Sequence, residues 1–287
     1  MKDIITSNQF NLHTRIGNKL FNYAFLLGCV KKYNREIVLP SYFLFDSLQN
    51  PPIINNDSKG EITLHCRHDG FDPQYVDEFF EINKGKSVEL NLSPFFQSQR
   101  WFEHCIPYVE EMLQFKPEVI TKVKEKYAFL LQKPTIGISL RLGTDFTGDS
   151  GFFKPKYTWY IEALNHHFPN WRTTHQVVVL SDNIELAKTI FKDYPFMYAE
   201  SNQTYILKYD SDHYHSPKAI EQLILGSLMN NVVISPSTFS WWIGFLCKHR
   251  KDNKEGKIIH CGKNLDNHYL EKTKNNYDYY PQDWIKF

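Results

Sequence analysis

Residues 135–143 read Thr-Ile-Gly-Ile-Ser-Leu-Arg-Leu-Gly, an apolar, β-branched run that ends in an arginine and a glycine. The run follows Pro134 and predicts a buried strand over 135–140, with Arg141 at its carboxyl end. Further apolar runs predict strands over 177–181, 232–235 and 257–261, with a short one over 196–199. Helical spacing of apolar residues lies between them, over 157–168, 184–191, 217–229 and 239–247. Strands that alternate with helices predict a parallel sheet with helices on both faces.

The first half of the chain predicts a second α/β lobe. A strong helix pattern covers 18–33, and strand patterns cover 37–39, 61–66 and 87–92. Because Pro134 follows a helical pattern over 117–131, we place the lobe boundary between residues 132 and 133. The expected domains are therefore 1–132 and 133–287. A ligand should lie in the cleft between them, at the carboxyl ends of the strands.

Composition excludes several classes of protein. The 287 residues carry 33 Lys+Arg and 32 Asp+Glu, a net charge of +1, which argues against a nucleic-acid partner. No apolar run is long enough to span a membrane, and the first residues contain no secretory signal. Five scattered cysteines suggest neither a disulfide framework nor a zinc site. We expect a cytoplasmic protein, with peripheral association at the inner membrane and the oligomeric state left open.

Two segments contain arginines in positions suited to anion binding. Residues 14–25 place Arg15 and Gly17 in a turn before a helix that starts near Asn18, so free N–H groups and the positive helix end could hold an anion. The alternative is an ordinary capped helix start. Arg141 ends a buried strand, where a planar guanidinium suits a diphosphate. Its alternative is a structural ion pair with Asp145.

Two further segments follow predicted strands. The hydroxyls of Ser237, Thr238 and Ser240, with the amides around them, could cradle phosphate oxygens. Helix capping, with Trp241 and Trp242 in the core, explains the same pattern, and both can hold together. Asp182 could accept hydrogen bonds from a ribose or a guanine edge, or it could cap the next helix.

Together these segments resemble the α-1,2-fucosyltransferases of glycosyltransferase family 11. Residues 15–24 resemble that family's G-x-[LF]-G-N-Q-[ML]-F-Q-Y-A, and 236–242 resemble N-S-T-[FY]-S-W-W. Residues 139–146 are similar to H-x-R-R-G-D-Y and 181–184 to S-D-[DN]-I, and 94–102 and 281–286 provide weaker matches. The chain departs from the pattern at Ser139, Leu142 and Lys19, which replace His, Arg and Gln. Residues 141–146 are also similar to the R-x-G-[ST]-D-W of protein O-fucosyltransferases.

This resemblance implies an α/β, GT-B-like pair of Rossmann-type lobes with parallel sheets, the N-terminal lobe on the acceptor side and the C-terminal lobe binding a GDP-sugar. The donor would be GDP-β-L-fucose, transferred with inversion to a glycan acceptor, most simply α-1,2 to galactose, in surface polysaccharide synthesis. No cofactor or metal is expected. The residues implied are Arg141 at the β-phosphate, Asn18 with Arg15 and Gly17 at the pyrophosphate or sugar, Ser237, Thr238 and Phe239 at the second phosphate cradle, Asp182 and Glu221 at the nucleoside, and Asp145 as a weak candidate base or a partner of Arg141.

Three alternatives stay open at this point. Ser139 and Leu142 could reflect a different GDP-sugar or acceptor. Asp210 and Asp212 form a D-x-D, which in metal-dependent GT-A enzymes holds Mn²⁺ on the diphosphate, although a solvated loop explains so polar a stretch better. A non-catalytic glycan-binding module would use the aromatic residues near the end of the chain for sugar stacking. These are Tyr277, Tyr279, Tyr280 and Trp284.

Overall fold

A computed structural model describes residues 3–11, 15–67, 73–93, 96–143, 153–200, 217–263 and 278–287. The chain divides into two compact units. The first contains the residues up to Pro117 together with Asp278 and Tyr279, and the second runs from Glu118 and includes Tyr280–Phe287.

The first unit is built on a five-stranded sheet in which every neighbouring pair is parallel. Its strands are β1 (Ile4–Thr6), β2 (Glu36–Leu39), β3 (Ile53–Ile54), β4 (Ile62–Arg67) and β5 (Val88–Ser93), in the order β3-β2-β1-β5-β4. In register, Ile5 lies opposite Ile37 on one side and Val88 on the other. The three-residue β1 therefore occupies the centre of the sheet, although its sequence did not predict a strand.

Helix α1 (Ile16–Tyr33) dominates the first unit. Its residues from Ile16 to Val30 are mostly apolar, and all of them except Asn18 are buried, as expected of a helix inside a core. It ends at Asn34, which adopts a left-handed conformation (φ 51°) and donates its N–H to the Val30 carbonyl. The other helices are α2 (Gln74–Ile82) and α3 (Ile106–Met112), with 3₁₀ turns at Asn8–Asn11, Phe45–Ser47, Gln99–Trp101 and Glu103–Cys105.

The second unit contains a six-stranded sheet, also parallel in every neighbouring pair. Its strands are β6 (Thr135–Leu140), β7 (Gln176–Ser181), β8 (Met197–Tyr198), β9 (Asn231–Ile234), β10 (Ile258–His260) and β11 (Ile285–Lys286), in the order β11-β10-β9-β6-β7-β8. Its helices are α4 (Pro117–Lys126), α5 (Tyr157–His167), α6 (Trp171–Thr174), α7 (Ile184–Ile190), α8 (Pro217–Ser227) and α9 (Thr238–Lys248), with a 3₁₀ turn at Ala128–Leu130.

The core of this sheet surrounds the strand from which the fold was predicted. All six residues of β6 are buried. Ile136 and Ile138 belong to an apolar cluster with residues of α5 and with Trp171. The alternation of strands and helices, and the parallel pairing that it predicts, are therefore present in this unit.

The units divide at Pro117, whereas the sequence placed the boundary after residue 132. Side chains at the end of α4 explain the difference. The Lys126 ammonium lies 2.8 and 2.7 Å from the two carboxylate oxygens of Glu221 on α8, and the Tyr127 hydroxyl donates to the same carboxylate at 3.2 Å. These bonds attach α4 to the second unit, and a proline after a helix gives no information about such contacts.

Residues 278–287 contribute to both units. In the first, the Ser98 hydroxyl donates to the Asp278 carboxylate at 3.0 Å, and Tyr279 is buried. In the second, β11 pairs with β10, and the buried Trp284 ring lies 5.3 Å from that of Trp241. Among the helices that the structure describes, none has the length and apolar character needed to cross a bilayer.

Candidate active site

Three neighbouring strands of the second sheet end at one edge. Strand β6 lies between β7 and β9, and all three are parallel. Arg141 follows β6, Asp182 follows β7, and the turn to α9 follows β9. Because carboxyl ends of parallel strands meet at the same edge, three of the four predicted segments are brought together there.

Arg141 forms an ion pair with Asp182, its partner across the β6–β7 pair. One oxygen of the Asp182 carboxylate accepts from the guanidinium, and the other accepts the Leu142 backbone N–H at 2.7 Å. A guanidinium has five N–H donors, so Asp182 can orient it while it also binds an anion. Asp145, the partner that the sequence suggested, lies outside the described residues.

Asp182 does not cap the following helix. That role belongs to Asn183, whose side-chain oxygen accepts the Leu186 N–H at 3.1 Å. The helix-cap alternative for Asp182 is therefore wrong, because its carboxylate is held by Arg141 and Leu142. Contact between Asp182 and a nucleoside stays a prediction.

The turn before α9 both caps the helix and leaves part of its surface open. Ser237 is the N-cap residue, and its hydroxyl accepts the Ser240 N–H at 3.5 Å. Ser237, Thr238 and Phe239 are half-buried, so they lie where a ligand could reach the first amides of an 11-residue helix. Both predicted roles of the turn are thus compatible.

The sequence prediction that the Ser240 hydroxyl belongs to a phosphate cradle is wrong. Its side chain is only 2% exposed, and its hydroxyl lies 2.7 Å from that of Ser139 and 2.9 Å from that of Ser235. Trp241 and Trp242, which follow it, are fully buried, as predicted. The hydroxyl of Ser240 therefore points into the protein. Sequence reasoning missed this contact because it joins residues about 100 positions apart.

Glu221 stands near the start of α8, and its carboxylate has intramolecular partners. It binds Lys126 and Tyr127, and the ion pair is mostly buried. These contacts account for a mostly buried carboxylate at position 221 without any ligand. Contact with a nucleoside stays a prediction for Glu221.

A histidine that the sequence did not single out ends the neighbouring strand β10. His260 is 5% exposed, its Nδ1 accepts the Gly262 N–H at 3.0 Å, and its ring stacks on Tyr280 with centroids 3.9 Å apart. Burial, with a smaller effect of Lys286, lowers the pKa of His260 to about 4. The imidazole is therefore neutral and a weak proton acceptor. Nothing in the sequence distinguishes it from other histidines.

The first unit contains the remaining predicted segment, at the N-terminus of α1. Arg15 precedes the helix in an extended conformation, and its carbonyl accepts the N–H groups of Asn18 at 3.0 Å and Lys19 at 3.1 Å. Gly17 lies buried in the first turn. The Asn18 side-chain oxygen accepts from the Gln97 amide at 3.1 Å, which joins two segments of the sequence resemblance. The predicted loop-to-helix geometry is present.

Lys19, where the resembling motif has Gln, lies inside the first unit. It is 2% exposed, donates to the Phe10 carbonyl, and its ammonium is 5.1 Å from the centre of the Phe10 ring. Burial lowers the pKa of Lys19 to about 8. No pattern in the sequence predicts that a lysine beside Asn18 is buried.

The carboxyl edge of the second sheet offers hydrogen-bond donors to an anion. They are the Arg141 guanidinium, whose charge the Asp182 carboxylate offsets, and the amides at the start of α9, which carry partial positive charge. Within the described ranges, no group of His, Cys, Asp and Glu side chains could hold a metal ion. Asp210 and Asp212 of the D-x-D lie outside those ranges.

No protein-family model matches the chain. The chain is 25% identical over 308 aligned positions to a galactoside 2-alpha-L-fucosyltransferase of Caenorhabditis elegans, which covers 94% of this chain and 74% of that protein. The structure of this chain is similar to that of POFUT1 in complex with GDP-fucose. The TM-score is 0.61 and the identity 13%, and the match covers 90% of this chain and 98% of the other. The structure is also similar to that of the fucosyltransferase NodZ from Bradyrhizobium, with a TM-score of 0.52, 10% identity and coverage of 86% and 93%.

These structural similarities confirm the predicted α/β, GT-B-like fold class. The sequence similarity to a galactoside 2-alpha-L-fucosyltransferase supports the resemblance to fucosyltransferases that the four segments indicate, and with it the expected enzyme class, a glycosyltransferase.

Proposed function

We propose that the protein transfers L-fucose from GDP-β-L-fucose to a hydroxyl of a glycan acceptor, with inversion at the anomeric carbon. The observation that carries the proposal is the pairing of Arg141 with Asp182 beside the N-terminus of α9. A linkage α-1,2 to galactose is supported by the similarity to a galactoside 2-alpha-L-fucosyltransferase. Surface polysaccharide synthesis is the biological context that we propose.

The chemistry assigns Arg141 its role. The acceptor oxygen bonds to the anomeric carbon while the bond from that carbon to the β-phosphate oxygen breaks. The leaving GDP takes the electron pair, and the acceptor's proton passes to a base. Negative charge therefore grows on the β-phosphate, where Arg141 and the α9 amides would stabilise it. Contacts that strengthen in the transition state raise kcat as well as binding.

The same proposal gives the first unit the donor sugar or pyrophosphate as ligand. Asn18 and the first amides of α1 would bind it, with Arg15 and Gly17 in the adjoining turn. The bond from Gln97 fixes the orientation of the Asn18 amide, so its N–H groups point in a defined direction.

A panel of nucleotides tests the donor class. Thermal unfolding would be followed with GDP, UDP, CMP and ADP, each with EDTA or with Mn²⁺. At 100 times the dissociation constant, a ligand that binds only the folded chain stabilises it by about 2.7 kcal/mol. We expect an increase in Tm with GDP alone that EDTA does not change.

Other results of the nucleotide panel would favour a different function. A shift that requires UDP and Mn²⁺ would favour the D-x-D enzyme, and no shift with any nucleotide would favour a glycan-binding module. If GDP binds, linkage analysis of the product formed from GDP-fucose and a galactoside tests the α-1,2 linkage. Turnover with another GDP-sugar only would show that the donor differs.

A further inference from the structure

Three serines form a buried hydroxyl cluster next to the proposed phosphate site. The cluster consists of Ser139, Ser235 and Ser240, whose side chains are 4%, 2% and 2% exposed. Ser139 lies on β6 two residues before Arg141, Ser235 follows β9, and Ser240 lies in the first turn of α9. In the second unit, the two segments that would bind the diphosphate, Arg141 after β6 and the turn into α9, therefore both adjoin the cluster.

Ser240 is the centre of the cluster. Its hydroxyl contacts those of Ser139 at 2.7 Å and Ser235 at 2.9 Å, and its backbone N–H donates to the Ser237 hydroxyl at 3.5 Å. A hydroxyl has one donor and two acceptor sites, so a single Ser240 hydroxyl can serve both neighbours. Ser240 thus links β6, after which Arg141 lies, to Ser235 after β9 and to the N-cap residue of α9.

Backbone bonds reinforce the same connection. The Ser235 N–H donates to the Ser139 carbonyl at 3.0 Å, and the Ser237 N–H donates to the Ser235 carbonyl at 2.8 Å. Ser139 lies two residues before Arg141, which directly follows the last residue of β6, so the segment that Ser139 anchors leads straight to Arg141. The position of the α9 N-terminus relative to Arg141 is therefore set through Ser139 and Ser240.

We propose that Ser240 is a positioning residue, which fixes the N-terminus of α9 relative to Arg141 so that both bind one diphosphate. The inference rests on the proposed function. Binding groups must lie within about 0.5 Å of the productive geometry, a tolerance that requires supporting hydrogen bonds. Buried polar networks whose members are satisfied specify geometry in this way, whereas apolar packing next to Trp241 and Trp242 would leave the helix end freer to shift.

Ser240→Ala tests the proposal, with Ser227→Ala as its matched control. Ser227 lies in the same unit at the end of α8, and its hydroxyl donates to the Ile224 carbonyl at 2.7 Å. Isothermal titration with GDP, and kcat and KM for GDP-fucose, would be measured for both variants and for the wild type. We expect Ser240→Ala to weaken GDP binding about tenfold and to raise KM similarly, because the helix end shifts from Arg141.

Ser227→Ala should lower Tm but leave GDP affinity within about twofold of the wild type. If Ser240→Ala also keeps GDP affinity within that limit, the serine is only structural and the inference is overturned. If the wild type itself fails to bind GDP, the proposed function is overturned, and the inference with it.

A triple variant keeps the test usable if Ser240→Ala fails to fold. Changing Ser139, Ser235 and Ser240 together to Ala leaves no hydroxyl of the cluster without its partner, so most of the stability should return. The bonds that set the spacing would still be absent, and we expect GDP affinity to remain about tenfold reduced. Wild-type affinity in the triple variant would overturn the inference.

Discussion

The carboxyl edges of the two sheets are organised differently. At the second edge, side chains bind one another, because Arg141 pairs with Asp182 and three serine hydroxyls join β6 to α9. At the first edge, the buried hydroxyls of Thr6 and Ser7 have no hydrogen-bond partner in the part of the chain that the structure describes. The same holds for the side-chain oxygen of Asn22, one turn along α1 from Asn18.

The two edges therefore hold their functional groups in different ways: by bonds between side chains at the second edge, and by the helix backbone at the first. Groups that bind one another depend on their neighbours, so substitutions at the second edge should be strongly coupled. At the first edge the helix backbone places Asn18, and within the described part of the chain its side chain bonds to one other segment, through Gln97. Substitutions there should act more independently.

Arg141→Ala should have the largest effect. Because it removes the charged donor from the leaving phosphate, we expect kcat to fall by roughly 10²–10³. Steady-state transfer from GDP-fucose to a galactoside would measure it. Arg172→Ala is the control, since that guanidinium stacks on Trp171 before β7 begins, at the opposite end of the strand from Asp182. If Arg141→Ala kept near-normal turnover, the proposed role of Arg141 at the phosphate would be wrong.

Lys19→Gln should change how stability depends on pH in the first unit. The pKa of Lys19 is lowered from 10.5 to about 8, so between these values the unfolded chain binds more protons and the unfolding free energy of the wild type rises with pH. Below pH 8 the wild type must bury an ammonium, and the variant should be the more stable. That advantage should shrink by about 2 kcal/mol between roughly pH 7 and 9.5.

Denaturant unfolding at the two pH values would measure this change. Lys31→Gln, at an exposed position on the same helix, corrects for the general loss of one positive charge. An advantage of Lys19→Gln that stays constant with pH would show that the Lys19 ammonium is not destabilised by burial.

Asp182→Asn tests the coupling at the second edge. The amide keeps the shape of the side chain but loses the charge that orients Arg141, so we expect kcat to fall about tenfold. In an Arg141→Ala background the same change should have almost no further effect. Additive losses in the double variant would mean that Asp182 acts on the substrate by another route, such as the predicted nucleoside contact.

Asn18→Ala and Gln97→Ala should give the smallest effects. We expect about fivefold lower kcat/KM for Asn18→Ala, and about twofold for Gln97→Ala, which loses only the orienting bond. Combined with Asp182→Asn, the Asn18→Ala loss should add, because the residues belong to different units and share no described bond. Strong coupling between these two changes would contradict the contrast between the edges.

The longest periodic elements were predictable from the sequence, and several shorter ones were not. The strand predicted over 135–140 is β6, and the helix predicted over 18–33 is α1 with two further residues at its start. Strands β1, β3 and β11 were missed because two or three residues cannot establish a period of two, whereas the equally short β8 and β10 lie inside the apolar runs over 196–199 and 257–261. Helix α2 was missed as well, although it packs Val76 and Phe80 on one face.

The candidate site was predictable as a set of segments but not as a set of contacts. Arg141 was placed by its strand, yet its partner Asp182 lies 41 residues away and depends on β7 being the neighbour of β6. The same reason hides the bond between Ser139 and Ser240. Strand order is a property of the folded sheet, so the contacts of Arg141 with Asp182 and of Ser139 with Ser240 had to come from the structure.

Residues 278–284 have a consequence for how the chain folds as it is synthesised. Asp278 receives the hydroxyl of Ser98 in the first unit, and Trp284 packs against Trp241 in the second. Both partners emerge long before the residues that complete them. Neither unit can finish its packing before residues 278–284 have been synthesised, so both cores depend on the same short segment of the chain. A chain stopped at residue 277 would leave both units open to chaperones and proteases.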